Sequence, residues 1–295
     1  MKINKLVVAI AALSSASVHA GVALTVTAGS ADYELSVAEV GYEEVIDDRF
    51  NSRDISLDYS WDNHQVGIKV GGLAKVDDAI DATFDESQWQ AVVLDQGAVE
   101  RDEWSLFYTY RLENGIALTG GYYNSEAKVD RNFEVSGGDY FGDGSDWAFT
   151  DTQHATKNVD NKGIFLGAAY GMSFTDRLGG FVRAGYQTSK MKEEIAASRQ
   201  TEIPEAQWVD NISMVRDLES DGSAVVYGIG LFYGIAENWS TTLFVDVKNF
   251  SYDDAKYNNK VFDADGNSLF SGADETDTKI DESQTTIGIS LRYMF

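Results

Sequence analysis

The sequence has no cysteine and one proline, Pro204, in 295 residues. Without cysteine there is no disulfide, no thiol nucleophile and no thiolate metal site. Positive charge is also scarce: 23 Lys and Arg face 48 Asp and Glu, a formal net charge of −25. That balance excludes nucleic acid as a natural partner. Past residue 20, no window offers the ~18 consecutive apolar residues of a membrane-spanning helix. What is abundant is glycine, 27 residues, with 15 Tyr, 15 Phe and 6 Trp. Few prolines, many glycines and many aromatics predict sheet with tight turns.

The first twenty residues read as a secretory signal peptide. Lys2 and Lys5 precede an apolar run at 6–13, and Val18, His19 and Ala20 put small residues before a cut. The run is too short for a transmembrane anchor. We therefore expect residues 1–20 to be removed and residues 21–295 to form one domain of net charge −27.

Within that domain, strand-like alternation recurs in ten segments. They lie within 23–37, 53–60, 65–75, 102–112, 116–129, 161–174, 178–192, 222–235, 239–252 and 283–295. Four short turns, at 61–64, 113–115, 175–177 and 236–238, alternate with five long segments at 38–52, 76–101, 130–160, 193–221 and 253–282. The fragments 88–95 and 206–215 could add hairpins inside two of these, giving twelve strands. Short turns at one end and long loops at the other are the pattern of an outer-membrane barrel. The expected fold is all-β: a ten-stranded antiparallel transmembrane β-barrel with short periplasmic turns and long acidic extracellular loops. Charge supports the division. The five long segments hold 36 of the 48 acidic residues but 9 basic ones, and the remainder of the mature chain balances to zero.

The faces agree. Val225, Tyr227, Ile229, Leu231, Tyr233 and Ile235 share one face, and Ala224, Val226, Gly228, Gly230, Phe232 and Gly234 the other. A Lys or Arg facing lipid at midplane costs ~2–4 kcal/mol, so the charged faces are assigned to the lumen. The lumen candidates are Asp58, Lys69, Arg111, Arg183, Asp246, Lys248 and Arg292. They either fill the barrel as paired charges or line a small polar channel. Aromatic girdles are expected from Trp61, Trp104 and Trp239 at the short-turn ends, and from Tyr122, Tyr123, Tyr252 and Tyr257 toward the long segments. The first strand changes parity between Val26 and Tyr33, which predicts a bulge near Gly29.

The chain closes on "GISLRYMF". This stretch resembles the C-terminal assembly signal of Gram-negative outer-membrane proteins, with Thr286, Gly288, Leu291, Tyr293 and Phe295 in its places. The resemblance implies recognition by the outer-membrane assembly machinery. It also implies residence in the outer membrane, among its lipid and lipopolysaccharide. It identifies a class and leaves activity and oligomeric state open.

Three activities follow as expectations. The first is a non-enzymatic barrel, of the kind that can form a narrow porin-like channel for small polar or cationic solutes. The second is an adhesin or recognition barrel acting through its acidic loops. The third is remote: in architecture the chain resembles the omptin proteases. That resemblance implies paired aspartates and an Asp–His pair at the extracellular mouth. Asp77 and Asp78 fit the first pair. The second has no match, because His64 falls in a short turn and His154 has no Asp two residues before it. A Ser–His lipid hydrolase is disfavoured too, since His154 sits in an expected loop and no G-x-S-x-G occurs.

No cofactor is expected beyond weak Ca²⁺ or Mg²⁺ attraction to the acidic loops. One stretch has metal-ligand spacing: Asp263, Asp265 and Asn267 alternate, and Asp274 stands twelfth. An EF-hand loop would have Gly where Ser268 stands. Asp139, Asp143 and Asp146, among glycines, echo calcium-binding turns without their repeat.

Overall fold

A computed structural model describes residues 20–39, 42–86, 89–137, 148–275 and 279–295. Residues 1–19 of the expected leader and Asp139, Asp143 and Asp146 lie outside these residues, and so do the side chains of Asp77, Asp78, Tyr257 and Asp274. Eleven strands are present: β1 (Ala20–Glu39), β2 (Tyr42–Trp61), β3 (His64–Glu86), β4 (Trp89–Arg111), β5 (Ile116–Gly137), β6 (Phe149–Ser173), β7 (Leu178–Ile203), β8 (Trp208–Ala236), β9 (Trp239–Phe262), β10 (Ser268–Glu275) and β11 (Lys279–Met294).

Each strand pairs antiparallel with the next from β1 to β9, then β9 pairs with β11 and β11 with β1. The ring is a closed barrel of ten strands with no free edge along its body. β10 is not a new stave. Glu275 pairs with Lys256 of β9 and Ile280 with Tyr252, so β10 continues β11 along one edge of β9. The ten expected strands are therefore the ten observed. The short turns also fall as expected, at 62–63, 112–115, 174–177 and 237–238.

The long segments differ from the sequence reading. They are mostly strand: β1 and β2 pair up to Glu39 and Tyr42, and β7 and β8 up to Ile203 and Trp208. A one-turn 3-10 helix, Pro204–Ala206, joins the last two. Of the fragments at 88–95 and 206–215, residues 89–95 belong to β4 and 208–215 to β8, which add no new stave to the barrel. β1 runs through Gly29 in unbroken register against both neighbours, so the expected bulge is absent. β1 to β9 have 20 to 29 residues each. A tilted strand needs ~9–11 residues to cross the membrane, so about half of each strand forms a wall beyond it.

The outward faces define the membrane band. Val225, Tyr227, Ile229, Leu231, Tyr233 and Ile235 of β8 are all exposed, as are Ile164 and Leu166 of β6 and Ile287, Ile289 and Leu291 of β11. At the short-turn end, Trp239 packs on Tyr293 and Tyr293 on Phe295, with ring centroids 4.7 and 4.9 Å apart. Trp61 stacks on His64 there. The girdle assignment needs three corrections. Trp104 sits seven residues up β4 and packs on Tyr122 at 5.5 Å, so it belongs to the upper ring. Tyr123 and Tyr252 point inward and are buried.

Candidate functional site

All seven lumen candidates stand at inward positions. Nearest the short turns, Arg292 Nη2 donates to Asp58 Oδ1 at 2.7 Å, and Arg111 Nη2 to Gln65 Oε1 at 2.6 Å. Above them, Lys69 pairs with Asp54 at 3.0 Å. Arg183 grips Asp246 with both ends of its fork, Nε to Oδ1 at 2.7 Å and Nη2 to Oδ2. Lys248 reaches Glu103 at 3.7 Å. β9 and β4 stand opposite each other in the ring, so that last pair spans the lumen.

Some of the inward glycines make room for these groups, whereas Gly171 and Gly234 have no atom nearer than 3.8 Å to where a Cβ would stand. A Cβ on Gly228 would overlap Asp246 Oδ1, and one on Gly71 would overlap Asp54 Oδ1. A Cβ on Gly230 would stand 2.5 Å from the Phe181 ring. Between the pairs lies a cavity of about 280 Å³, lined by Lys69, Arg183 and Lys248 against Asp54, Glu103 and Asp246.

Arg101 and Leu73 border this cavity, and they belong to a collar that closes the barrel. Arg101 of β4 donates from Nη1 to Glu282 Oε1 of β11 at 2.7 Å and from Nε to Ser125 Oγ at 2.8 Å. Both charged side chains are under one-tenth exposed. Beside them, Asn161 of β6 joins Tyr123, Ser189 and Tyr252 in one hydrogen-bonded group. Met191, Leu218, Phe250 and Ile280 pack around Tyr252. Ala31, Phe50 and Leu73 cluster on β1 to β3. Each of the ten staves thus contributes an inward side chain at most 8% exposed, including Ala31, Phe50, Leu73, Arg101, Ser125, Asn161, Met191, Ser220, Tyr252 and Glu282. A buried charge is tolerated only when paired, and here Arg101 and Glu282 neutralise each other across the ring.

The sequence reading missed this collar because it placed Arg101 and Glu282 in loops. Arg101 and Glu282 each fall one residue outside the strands drawn at 102–112 and 283–295, so strands one residue longer would have shown their inward parity. The wall above is polar. Inside it, Lys157 pairs with Glu193 at 2.7 Å and Arg199 with Asp151 at 2.6 Å. Outside it, Lys192 pairs with Glu219 and holds that carboxyl below its ordinary range.

The acidic stretch at 263–267 is the turn between β9 and β10. Asp263 accepts from the backbone of Asp265 at 3.0 Å and Asn267 at 2.8 Å, and from the Asn267 side chain at 3.0 Å. These bonds depress the Asp263 carboxyl. Its oxygens serve the turn: Asp265 lends its backbone N–H, and Asn267 its backbone N–H and side-chain amide. Among the described residues no cluster of three or more metal-ligating side chains occurs. His64 Nδ1 meets the Tyr108 hydroxyl at 2.6 Å and His154 Nδ1 meets Asn132 Oδ1 at 2.7 Å. Neither contact is with a carboxylate.

No protein-family model and no curated protein matches the chain. Among solved structures it is similar to the outer membrane protease OmpT from Escherichia coli. The identity is 13%, the match covers 93% of this chain and 97% of that one, and the TM-score is 0.55. Fainter likenesses run to the translocator domain of autotransporter NalP from Neisseria meningitidis and the toluene transporter TodX from Pseudomonas putida. Their identities are 11% and 10%, and their TM-scores 0.40 and 0.36. NalP is matched over 100% of this chain and 95% of that one, TodX over 92% and 89%. At these identities the likeness is one of fold. The chain has the fold of an outer-membrane β-barrel protein.

Proposed function

We propose that this protein is a non-conducting outer-membrane barrel that works from its projecting acidic wall, as a surface-recognition protein. The observation that carries the reading is the buried collar. Ten staves each place a water-excluded side chain at the level of Arg101 and Glu282. A porin-like path would have to run through the ion pair, the tyrosine group and two apolar clusters. The wall offers what the lumen does not: area, exposure and a net negative charge. Acidic surfaces attract cationic partners, and salt screens that attraction.

The omptin-like reading gains fold support from OmpT and no support from the histidines. His154 bonds an amide and His64 sits at the short-turn end. The Asp–His pair that the omptin resemblance implies has no counterpart in either contact.

Conductance across planar bilayers tests the proposal. We expect the wild-type protein to give no current above a protein-free control. The Arg101→Ala, Glu282→Ala double variant should conduct, since it removes the ion pair that reaches across the collar. Steady wild-type current would overturn the reading in favour of the channel.

A further inference from the structure

His154 belongs in a loop tip by sequence, with nothing to orient it. In the fold it stands in β6, in the middle of a polar row. Asn132 of β5 is its partner on one side and Ser198 of β7 its partner on the other. All three positions face outward and are exposed. Asn132 Oδ1 lies 2.7 Å from His154 Nδ1. An amide oxygen only accepts, so with this amide orientation Nδ1 carries the proton and Nε2 is the basic nitrogen. Ser198 is the directly opposite residue on the next strand, a placement that holds Cβ atoms roughly 4.5–5.5 Å apart. His154 and Ser198 also line one cavity of about 320 Å³, which Thr152 and Asn211 share and the Asp263–Ala264 turn bounds.

We propose that Ser198, His154 and Asn132 form a hydrolytic site for short-chain carboxylic esters on the outer face of the wall. The inference rests on the proposed function only in taking the wall as the working part, and it departs from the non-enzymatic expectation. His154 Nε2 takes the Ser198 hydroxyl proton as Oγ attacks the ester carbonyl carbon. The carbon–oxygen bond to the alcohol breaks, and the alcohol leaves with that proton. Water, deprotonated by the same nitrogen, then attacks the acyl-serine. It releases the carboxylic acid and restores Ser198. Asn132 is a positioning residue that sets the imidazole tautomer. The Asn211 amide and the Thr152 hydroxyl are donors in the same cavity for the developing oxyanion.

Position and size narrow the substrate. His154 lies ten residues above Ile164, an outward member of the apolar band. At ~3.3 Å per residue and a tilt of ~35–45°, that is more than ~20 Å beyond it. The ester therefore comes from the aqueous side, not from acyl chains within the bilayer.

The test uses the full mature chain folded in detergent micelles, with heat-modifiable gel mobility confirming the barrel for every variant. p-Nitrophenyl butyrate reports turnover, and a fluorophosphonate probe with mass spectrometry reports the labelled residue. We expect the label on Ser198. Ser198→Ala and His154→Ala should each lose turnover by on the order of 100-fold or more, and Ser198→Ala should lose the label. Asn132→Ala should lower turnover, while Asn132→Asp should restore it and move the acid limb of the pH profile upward. A purely structural Asn132 would move no limb. Ser271→Ala, on β10, should match wild type. Wild-type turnover no faster than that of folded Ser198→Ala overturns the site, as does equal labelling of the two. Either result leaves the conductance test, and the closed barrel, untouched.

Discussion

Along β8 the outward positions change character within one unbroken strand. Val225 to Ile235 present six apolar side chains, 44% to 60% exposed. Asp217, Glu219 and Asp221 on the same outward parity present carboxylates. The backbone ladder with β7 runs through both stretches without a shift. On this edge the ladder is the same in both stretches and the side chains record whether lipid or water lies outside; on the β9 edge the register shifts between Glu219 and Asp221. The inward positions make the complementary point. Below and through the collar they are paired charges and packed aromatics, so the lower barrel is a charged interior with a small cavity, wrapped in a lipid-facing skin. The wall extends the same sheet into water.

The comparison can be broken most severely at the collar. Arg101→Ala strands the buried Glu282 carboxylate, and losing one partner of a buried pair costs about 3–5 kcal/mol. The urea midpoint of vesicle-embedded protein should fall accordingly. Replacing both Arg101 and Glu282 with apolar residues should recover most of the loss. Next comes the skin itself. Ile229→Arg faces lipid and should cost about 2–4 kcal/mol, whereas Asp217→Arg, on the same parity of the same strand, should change stability by under about 0.5 kcal/mol. Equal effects at the two positions would erase the proposed membrane boundary.

A smaller effect is expected inside. Gly228→Ala pushes a methyl into the Asp246 carboxylate and should cost about 1–3 kcal/mol by overpacking, read from the same unfolding curves. The smallest belongs to the wall's β9–β10 turn. Asp263 is held below the ordinary aspartate range by the donors around it. Its contribution is fully present above the ordinary aspartate value and is lost as pH falls through the depressed one. Protection of the Asp265 and Asn267 amides, measured against the intrinsic exchange rate at each pH, should therefore fall in acid, and Asp263→Ala should abolish that dependence.

Much of this architecture is legible in the chain. Alternation such as Val225 to Ile235 against Ala224 to Gly234 fixes strands and faces, and the four short turns follow from the breaks between them. The projecting wall is not legible in that way. In β6, the stretch from Thr150 to Asn158 alternates between polar residues, so no hydrophobic period marks it as strand. It becomes strand because the neighbouring hairpins supply partners on both sides. The collar is hidden for a different reason. Arg101 and Glu282 are 181 residues apart, and no local pattern joins them. The row of Asn132, His154 and Ser198 likewise exists only once three registers are set.

The seam between β1 and β11 has a consequence for how the molecule comes to exist. Phe295 N donates to Val22 O at 2.9 Å, and the two strands stay paired from Ala23 with Met294 to Ala38 with Lys279. Every other stave can zip against the one before it, at the modest entropy of a hairpin. This seam joins opposite ends of the described chain, so it is the contact of greatest loop length. Until it forms, two long strand edges stay open to any passing chain. The circle is therefore a kinetic hazard until its last pair of strands meets, and the slow step of its folding should be closure rather than propagation.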